Sequence, residues 1–217
     1  MKYSTSAETV NLPNMINFDA QNRTLHVIAV AYQRPIQLRI LCDCFITQTD
    51  PRWVLYIMYD GPPPEDVKQV MDLYNSEKRI HFMCSSHRNG NYGHPNRRKA
   101  LAKLSGFPDD FVLLTNDDNY YVPVFVEYMM QQATRTVGMV ICNTVHSHFQ
   151  YKVHESKPIE NSIDMGAFWV RLPIAKAVGF NWDDFSADGK YAEECANACR
   201  CNGLEVVHVY KPLFVHN

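Results

Sequence analysis

The first half of the chain alternates short apolar runs with amphipathic stretches, and short connections join them. Four runs have the composition of buried strands: 25–31 (LHVIAVA), 53–59 (WVLYIMY), 80–84 (IHFMC) and 111–114 (FVLL). Each of the first three is followed by residues with the apolar spacing of a helix. This order predicts a mostly parallel sheet with helices on both faces, an α/β fold of three layers (α/β/α). Further strand-like runs in a less regular second half predict that the complete sheet is mixed; they lie at 137–142, 168–170 and 204–210.

Composition argues against several classes of protein. The chain of 217 residues has 21 Lys and Arg against 23 Asp and Glu, a formal net charge of −2, without a long run of like charge. We therefore expect no nucleic-acid partner, because such partners usually bind a basic surface. The sequence contains no run of about 18 apolar residues and no leader-like apolar start, which predicts a cytoplasmic protein without a membrane span, open to peripheral association with a membrane. Without a linker or a repeat, residues 1–217 are expected to form one domain.

Two carboxylates, Asp117 and Asp118, follow the fourth strand-like run almost directly, and Asn119 comes next. Neighbouring carboxylates at the end of a buried strand repel each other unless a cation lies between them. Their oxygens suit Mg²⁺ or Mn²⁺, which complete their coordination with phosphate oxygens and water. The residues alone leave a second interpretation open, in which this segment is a turn that caps the helix after Pro123.

Five segments, in order along the chain, resemble parts of the GT-A glycosyltransferases, particularly the inverting enzymes of family 2. They are VIAVAYQRP at 27–35, WVLYIMYDG at 53–61, RRKAL at 97–101, TNDDNYYVP at 115–123 and KPLFVHN at 211–217. The fourth segment resembles the family's metal-binding aspartate motif. The resemblance covers residues 25–217 and implies the GT-A nucleotide-diphospho-sugar transferase fold. It also implies a nucleotide-binding half at 23–121 and an acceptor half at 122–217, after an N-terminal lead at 1–22.

On the donor side, the resemblance implies that Tyr32 and Asp60 contact the nucleotide base. Uracil is the default base, and GDP and dTDP remain open. Arg34 and Arg97 are expected to meet phosphate or base oxygens with their charged forks. The residues alone leave simpler interpretations open: an ordinary loop aromatic for Tyr32, a turn position for Asp60 and solvated side chains for the arginines.

The resemblance also implies a metal ion. No glycine-rich phosphate-binding loop follows the first strand, so Mn²⁺ or Mg²⁺ is expected to neutralise the diphosphate. Asp118 is the expected ligand, with Asp117 directed at the ribose or assisting. His216 is a second candidate ligand, and the alternative for it is a residue at the end of the sheet.

Inverting transfer needs a general base for the acceptor hydroxyl. In the family this base is a carboxylate near the start of a late helix, which points to Asp188 and Glu193 here, with Glu194 also open. The family's usual Glu-Asp pair is replaced or displaced at this place. Acidic residues in the first turn of a helix are favoured by its dipole in any case, which is the alternative interpretation.

These expectations describe a glycosyltransferase of the hexosyltransferase type in polysaccharide biosynthesis. It would move a sugar from a nucleoside diphosphate sugar to a glycan or another hydroxyl acceptor. Asp164 is a candidate sugar contact, whereas His146 and His148 are interpreted as surface residues, with an acceptor or loop site as the alternative. Two other functions stay open: a degenerate GT-A domain that binds a nucleotide sugar or glycan without turnover, and a nucleotidyltransferase of similar fold.

Overall fold

The structure, a computed structural model, describes residues 23–217. Its strands are β1 (Leu25–Ala31), β2 (Trp53–Tyr59), β3 (Ile80–Cys84), β4 (Phe111–Asn116), β5 (Tyr120–Tyr121), β6 (Val137–His146), β7 (Lys152–His154), β8 (Phe168–Arg171) and β9 (Glu205–His216). Its helices are α1 (Pro35–Ile46), α2 (Glu65–Leu73), α3 (His94–Lys103), α4 (Phe125–Gln132), α5 (Leu172–Val178) and α6 (Ala187–Cys201). All the strand-like runs of the sequence are strands, and the short β5 and β7 are additional to them. The N-terminal lead at 1–22 lies outside the described residues.

The strands form one sheet in the order β3-β2-β1-β4-β8-β6-β9-β5, with β7 paired to β6. The four strands of the first half are parallel, and β8 joins them to the second half by antiparallel pairing with both β4 and β6. Most of the paired positions are parallel, which confirms the predicted mixed, mostly parallel sheet with flanking helices. The strand order reverses between β1 and β4, because the chain moves outward to β3 and then returns to the other side of β1.

Buried apolar side chains hold the helices on the sheet. α1 begins at Pro35, where a missing N–H costs nothing. One face of this helix is buried through Leu38, Leu41, Cys42 and Phe45. In α6 the thiols of Cys195 and Cys199 are likewise buried, among alanines and Tyr191. These cysteines therefore serve as small packing residues.

Two glycines allow close approaches in the second half. A Cβ at Gly189 would lie 2.6 Å from the Cα of Glu160, so only glycine lets the first turn of α6 lie against that backbone. A Cβ at Gly166 would lie 2.5 Å from the ring of Phe214 in β9. The first contact sets the start of α6 against the chain at residues 159–161, and the second sets the segment before β8 against the end of β9.

Within residues 23–217, none of the helices combines the length and the apolar character that crossing a bilayer requires.

Candidate functional site

A cavity of about 560 Å³ lies at the carboxyl ends of β1, β2 and β4, facing the backbone of residues 88–93. Tyr32, Arg34, Asp60 and Asp117 all line it. The structure thus brings together four of the residues that the sequence analysis associates with a nucleotide. The cavity lies where the strand order reverses, which is the place where open α/β sheets bind their ligands.

The loop after β1 presents an aromatic ring to this cavity. The backbone N–H of Tyr32 donates to Oδ2 of Asp117 over 3.1 Å. The N–H of Gln33, a residue in the left-handed region at φ 54°, donates to the hydroxyl of Tyr59 over 3.3 Å. The guanidinium carbon of Arg88 lies 4.1 Å from the centre of the Tyr32 ring. An aromatic face beside a cation suits a nucleotide base, and the sequence analysis did not find Arg88.

Asp60 lies at the end of the neighbouring strand β2 and anchors the loop at residues 88–93. Its Oδ1 accepts from the N–H of Asn89 over 2.8 Å and from the amide of Asn96 over 2.9 Å, and its Oδ2 accepts from the N–H of Gly90 over 2.9 Å. Burial by itself would raise the pKa of Asp60, but these hydrogen bonds outweigh it and lower that pKa below its usual value. The ionised carboxylate therefore holds the 88–93 loop, a role that is absent from the sequence-based expectation.

Arg34 pairs with both carboxylates of the aspartate motif. Its Nη1 forms an ion pair with Oδ2 of Asp118 and lies 3.6 Å from Oδ1 of Asp117. Burial raises the pKa of the Asp117 carboxyl to about 6, although Arg34 and the N–H of Tyr32 act in the opposite direction. Two neighbouring carboxylates in a buried position require positive charge. In this structure the guanidinium supplies it.

The aspartates do not cap the next helix. α4 begins at Phe125 after an N-cap at Val124, and no side chain caps it. Asp117 and Asp118 do form a turn, but the interpretation of these residues as helix caps is therefore wrong. Asn119 is fully buried and donates to the hydroxyl of Thr115 over 3.1 Å, so it belongs to the core.

A second cavity, of about 290 Å³, adjoins the first and shares Tyr92 and Asn116 with it. Asp164 and Asp188 line this cavity, and so does Arg97. The imidazoles that line it are His94, His146, His148, His154 and His216. The shared residues make one continuous concave surface from the end of β4 to the start of α6.

Asp164 and Asp188 form a carboxyl pair in the second cavity. Oδ1 of Asp164 accepts from the N–H of Gly166 over 2.9 Å, and Oδ2 of Asp188 accepts from the N–H of Met165 over 3.3 Å. Burial raises the pKa of both carboxyls, and the charge of Asp164 raises that of Asp188 further. The charge of Arg97 opposes both shifts. A carboxyl with a raised pKa in a cavity is a candidate general base near neutral pH.

Glu193 lies apart from this pair. It is exposed on α6, as Glu194 is, and neither residue lines either cavity. The inner face of the helix continues from Asp188 through Ala192 and Cys195, which are buried, so position 193 is rotated outward. Of the candidate bases, the structure therefore places Asp188 alone at the site.

His216 is in the second cavity, among neighbours that the sequence analysis did not anticipate. Its Nε2 lies 3.4 Å from Oδ2 of Asp164, and its ring stacks on that of His146 with centroids 4.0 Å apart. One ligand atom from each of these three residues falls within 4.8 Å of the others, a spacing compatible with one ion. Asp118 is not part of this group. The expectation of a shell shared by Asp118 and His216 therefore has no support in this arrangement.

His146 is a cavity residue, which corrects its interpretation as a surface residue. Burial lowers the pKa of His146 to about 4, and the neighbouring imidazoles act in the same direction. Its Nδ1 accepts the N–H of His148 over 3.1 Å, which leaves the proton of the neutral ring on Nε2. This ring is therefore better suited to donate a hydrogen bond than to bind an ion. The spacing of two between the histidines was its only signal in the sequence.

Arg97 is fully buried beside both cavities. Its guanidinium donates to the carbonyl of Tyr92 over 2.7 Å and to Oδ1 of Asn116, the two residues that the cavities share. Burial lowers its pKa to about 10, and nearby carboxylates offset part of that effect; they belong to Asp188, Asp164 and Asp117. Arg97 thus positions the residues between the cavities, and its Nη1 and Nη2 bond protein oxygens where a phosphate contact was expected.

Known structures share this fold. S. aureus TarS, residues 1–349, matches with a TM-score of 0.68 and 13% identity over 89% of this chain and 60% of that chain. The same fragment in complex with UDP-GlcNAc matches with a TM-score of 0.69 and 14% identity, over 88% and 58% of the two chains. The mannosyltransferase PcManGT from Pyrobaculum calidifontis, in complex with GDP-Man and Mn²⁺, matches with a TM-score of 0.66 and 15% identity, over 91% and 58%.

No protein-family model and no curated protein matches the sequence. The likeness to the solved structures establishes a glycosyltransferase fold of the GT-A type, as the sequence resemblance implied. This chain spans 58% to 60% of the length of the three structures described.

Proposed function

We propose that the chain is a metal-dependent glycosyltransferase that transfers a sugar from a nucleoside diphosphate sugar to a hydroxyl acceptor with inversion. One observation carries the proposal. Two cavities share Tyr92 and Asn116, and one of them contains the carboxylates after β4 while the other contains Asp188. A donor in the first cavity and an acceptor in the second would meet at the shared residues. The fold on which the two cavities lie is that of solved glycosyltransferases.

The larger cavity is the proposed donor site. Its volume lies in the range of small-ligand sites, about 300–1,000 Å³. Tyr32 and Arg88 offer a stacking surface for the base. Oδ2 of Asp60 accepts one hydrogen bond from Gly90 and keeps capacity for the ring N–H of uracil, so we favour a UDP-sugar. The matching TarS structure is a complex with UDP-GlcNAc and the PcManGT structure is a complex with GDP-Man, so GDP is the natural competitor in a test.

The aspartate motif fits a divalent cation. Asp117 and Asp118 already share one positive group, Arg34, and their oxygens are the ligands that Mg²⁺ and Mn²⁺ prefer. When bound, the ion would supply the positive charge that makes a diphosphate a competent leaving group. Asp118, the more exposed of the two carboxylates, would bind it. Arg34 would then be released from its ion pair to hold a phosphate oxygen.

Asp188 is the proposed general base. Its ionised carboxylate would accept the proton of the acceptor hydroxyl as that oxygen attacks the anomeric carbon from the side opposite the diphosphate. The bond to the diphosphate breaks in the same step, which inverts the configuration at that carbon. The N–H of Met165 holds one carboxylate oxygen, and the charge of Arg97 favours the ionised form.

Nucleotide titration tests the proposal. UDP, GDP and dTDP are titrated calorimetrically, with and without Mn²⁺, into the wild type, Asp118→Asn and the control Asp183→Asn. Asp183 is an exposed carboxylate paired with Arg98. We expect one nucleotide to bind in a metal-dependent manner, about tenfold or more weakly to Asp118→Asn, and unchanged to the control. If none of the three nucleotides binds under either condition, the proposal is wrong.

A further inference from the structure

Exposed aromatic side chains surround the mouth of the second cavity. Phe185 is 80% exposed and Tyr92 is 65% exposed, and their rings meet edge to face with centroids 6.4 Å apart. Phe149, also exposed, contacts His146 instead, with ring centroids 5.0 Å apart. Large exposed rings around a concave site are unfavourable in water, and such patches mark surfaces that bind a ligand.

The interior of the same cavity is polar. Its hydrogen-bonding side chains include His146, His154, Asn161, Asp164, Ser186 and Asp188. The neutral ring of His146 carries its proton on Nε2, because its Nδ1 accepts the N–H of His148. The Nε2–H group can therefore donate a hydrogen bond to a ligand. A ligand for this cavity therefore needs apolar surface on one side and hydroxyl or similar groups on the other.

The charges of the cavity disfavour an anionic ligand. Asp164 and Asp188 both line it, and among residues 23–217 the one arginine or lysine in its lining is Arg97. That guanidinium is buried and donates to Tyr92 and Asn116. A phosphate or carboxylate group would therefore face Asp164 and Asp188 beside a single arginine that already bonds two protein groups.

We propose that the acceptor is an uncharged glycan whose terminal pyranose ring enters this cavity. The apolar C–H face of the ring packs on Phe185 and Tyr92, and its hydroxyls face His146 and Asp188. A volume of about 290 Å³ is at the lower end of the range for small-ligand sites, which suits one sugar unit. Phe185 precedes Asp188 by three residues, so the segment that binds the ring also carries the base. This inference rests on the proposed function and names its acceptor class.

Saturation-transfer NMR tests the inference. The probes are the methyl glycosides of glucose, galactose, mannose and N-acetylglucosamine, with glucose 6-phosphate as the anionic comparison, each in the presence of UDP and Mn²⁺. The variants are Phe185→Ala and Tyr92→Ala. The matched control is Phe107→Ala, because Phe107 is 73% exposed but lies in a separate groove with Leu172 and Lys176.

We expect at least one neutral glycoside to receive saturation, strongest on the protons of one ring face, and glucose 6-phosphate to receive none. Phe185→Ala is expected to weaken glycoside binding about threefold or more, and Phe107→Ala to leave it unchanged. Preferential binding of glucose 6-phosphate, or glycoside binding that is insensitive to both rim variants, would overturn the inference. If UDP binds and no glycoside does, the acceptor class is wrong while the donor site stands; if neither binds, the proposed function fails with it.

Discussion

The guanidinium of Arg34, just after β1, forms an ion pair with the carboxylate of Asp118, just after β4. The same guanidinium lies 3.6 Å from Asp117, so one side chain neutralises both carboxylates of the motif. A divalent ion bound to the same oxygens would compete with Arg34, because both cations use carboxylate acceptors. Metal binding at the proposed site would therefore be coupled to the position of this arginine.

Replacing Arg34 should change Mn²⁺ binding and UDP binding in opposite directions. We expect Arg34→Ala to bind Mn²⁺ several-fold more tightly than the wild type without nucleotide, because no guanidinium competes for the carboxylates. We expect the same variant to bind UDP more weakly in the presence of Mn²⁺, because a phosphate contact is lost. Calorimetry at pH 8, above the pKa of about 6 that Asp117 has beside Arg34, measures both. Arg39→Ala, which removes an exposed ion pair with Asp43 on α1, is the control; weaker Mn²⁺ binding by Arg34→Ala would contradict the coupling.

Two acidic residues on one helix offer a matched test of the base. Asp188→Asn is expected to lower kcat by about 100-fold or more, with UDP affinity unchanged, because the acceptor hydroxyl loses its proton acceptor. Glu193→Gln should leave kcat unchanged, because Glu193 is exposed and lines neither cavity. Initial rates of transfer to the best glycoside acceptor measure both. Loss of activity in Glu193→Gln with retention in Asp188→Asn would reverse the assignment.

The pH dependence of kcat/KM should reflect the pKa of Asp188, which depends on the neighbouring Asp164. Burial and the charge of Asp164 raise the pKa of Asp188, so Asp188 stays protonated to higher pH than an ordinary carboxyl. We expect kcat/KM to increase with pH across an acid limb that lies above about pH 4, the usual carboxyl value. In Asp164→Asn that limb should move to lower pH, because one of the charges that raise the pKa is gone. An unchanged or upward-shifted limb in this variant would show that another group controls the profile.

The buried carboxyls of Asp164 and Asp188 should lower the free energy of unfolding at neutral pH. Both pKa values are raised on folding, so the folded state binds more protons than the unfolded state, and stability falls as the pH rises through the window from about 4 to the raised values. Asp164→Asn should therefore increase Tm by about 2–4 °C at pH 7.5 and by much less at pH 4.5. Scanning calorimetry at the two pH values measures the difference. Asp183→Asn controls for loss of a surface carboxyl, and an equal gain at both pH values would argue against the linkage.

Asp60 should be required to hold the loop at 88–93 in its folded conformation. Three donors converge on its two oxygens, and asparagine offers a single acceptor oxygen. Asp60→Asn is expected to cost about 1–3 kcal/mol of unfolding free energy and to increase amide exchange at Asn89 and Gly90. Urea unfolding and hydrogen exchange measure these effects. Asp72→Asn, at an exposed position on α2, is the control; unchanged exchange at the loop would refute the anchoring role.

The strands and helices could be predicted because their signals are local. The run 25–31 is apolar at every position except His26 because both of its faces are buried, and the spacing of Leu38, Leu41 and Phe45 follows the helical repeat. The strand ends could also be predicted to converge, since parallel strands bring their carboxyl ends to one edge of the sheet. In the structure Tyr32, Asp60 and Asp117 lie at such strand ends and line one cavity.

The sequence by itself determined the mixed α/β fold and the residues at the strand ends, because burial patterns and strand direction act over short stretches of chain. Only the tertiary structure determined which of the candidate site residues contact one another. It pairs Arg34 with Asp118, turns Glu193 to solvent, and sets His216 against Asp164 and His146. Those contacts join residues that are far apart in the chain or depend on the rotation of a packed helix. Close packing, including the approach that Gly189 permits, sets such distances, and no local pattern encodes them.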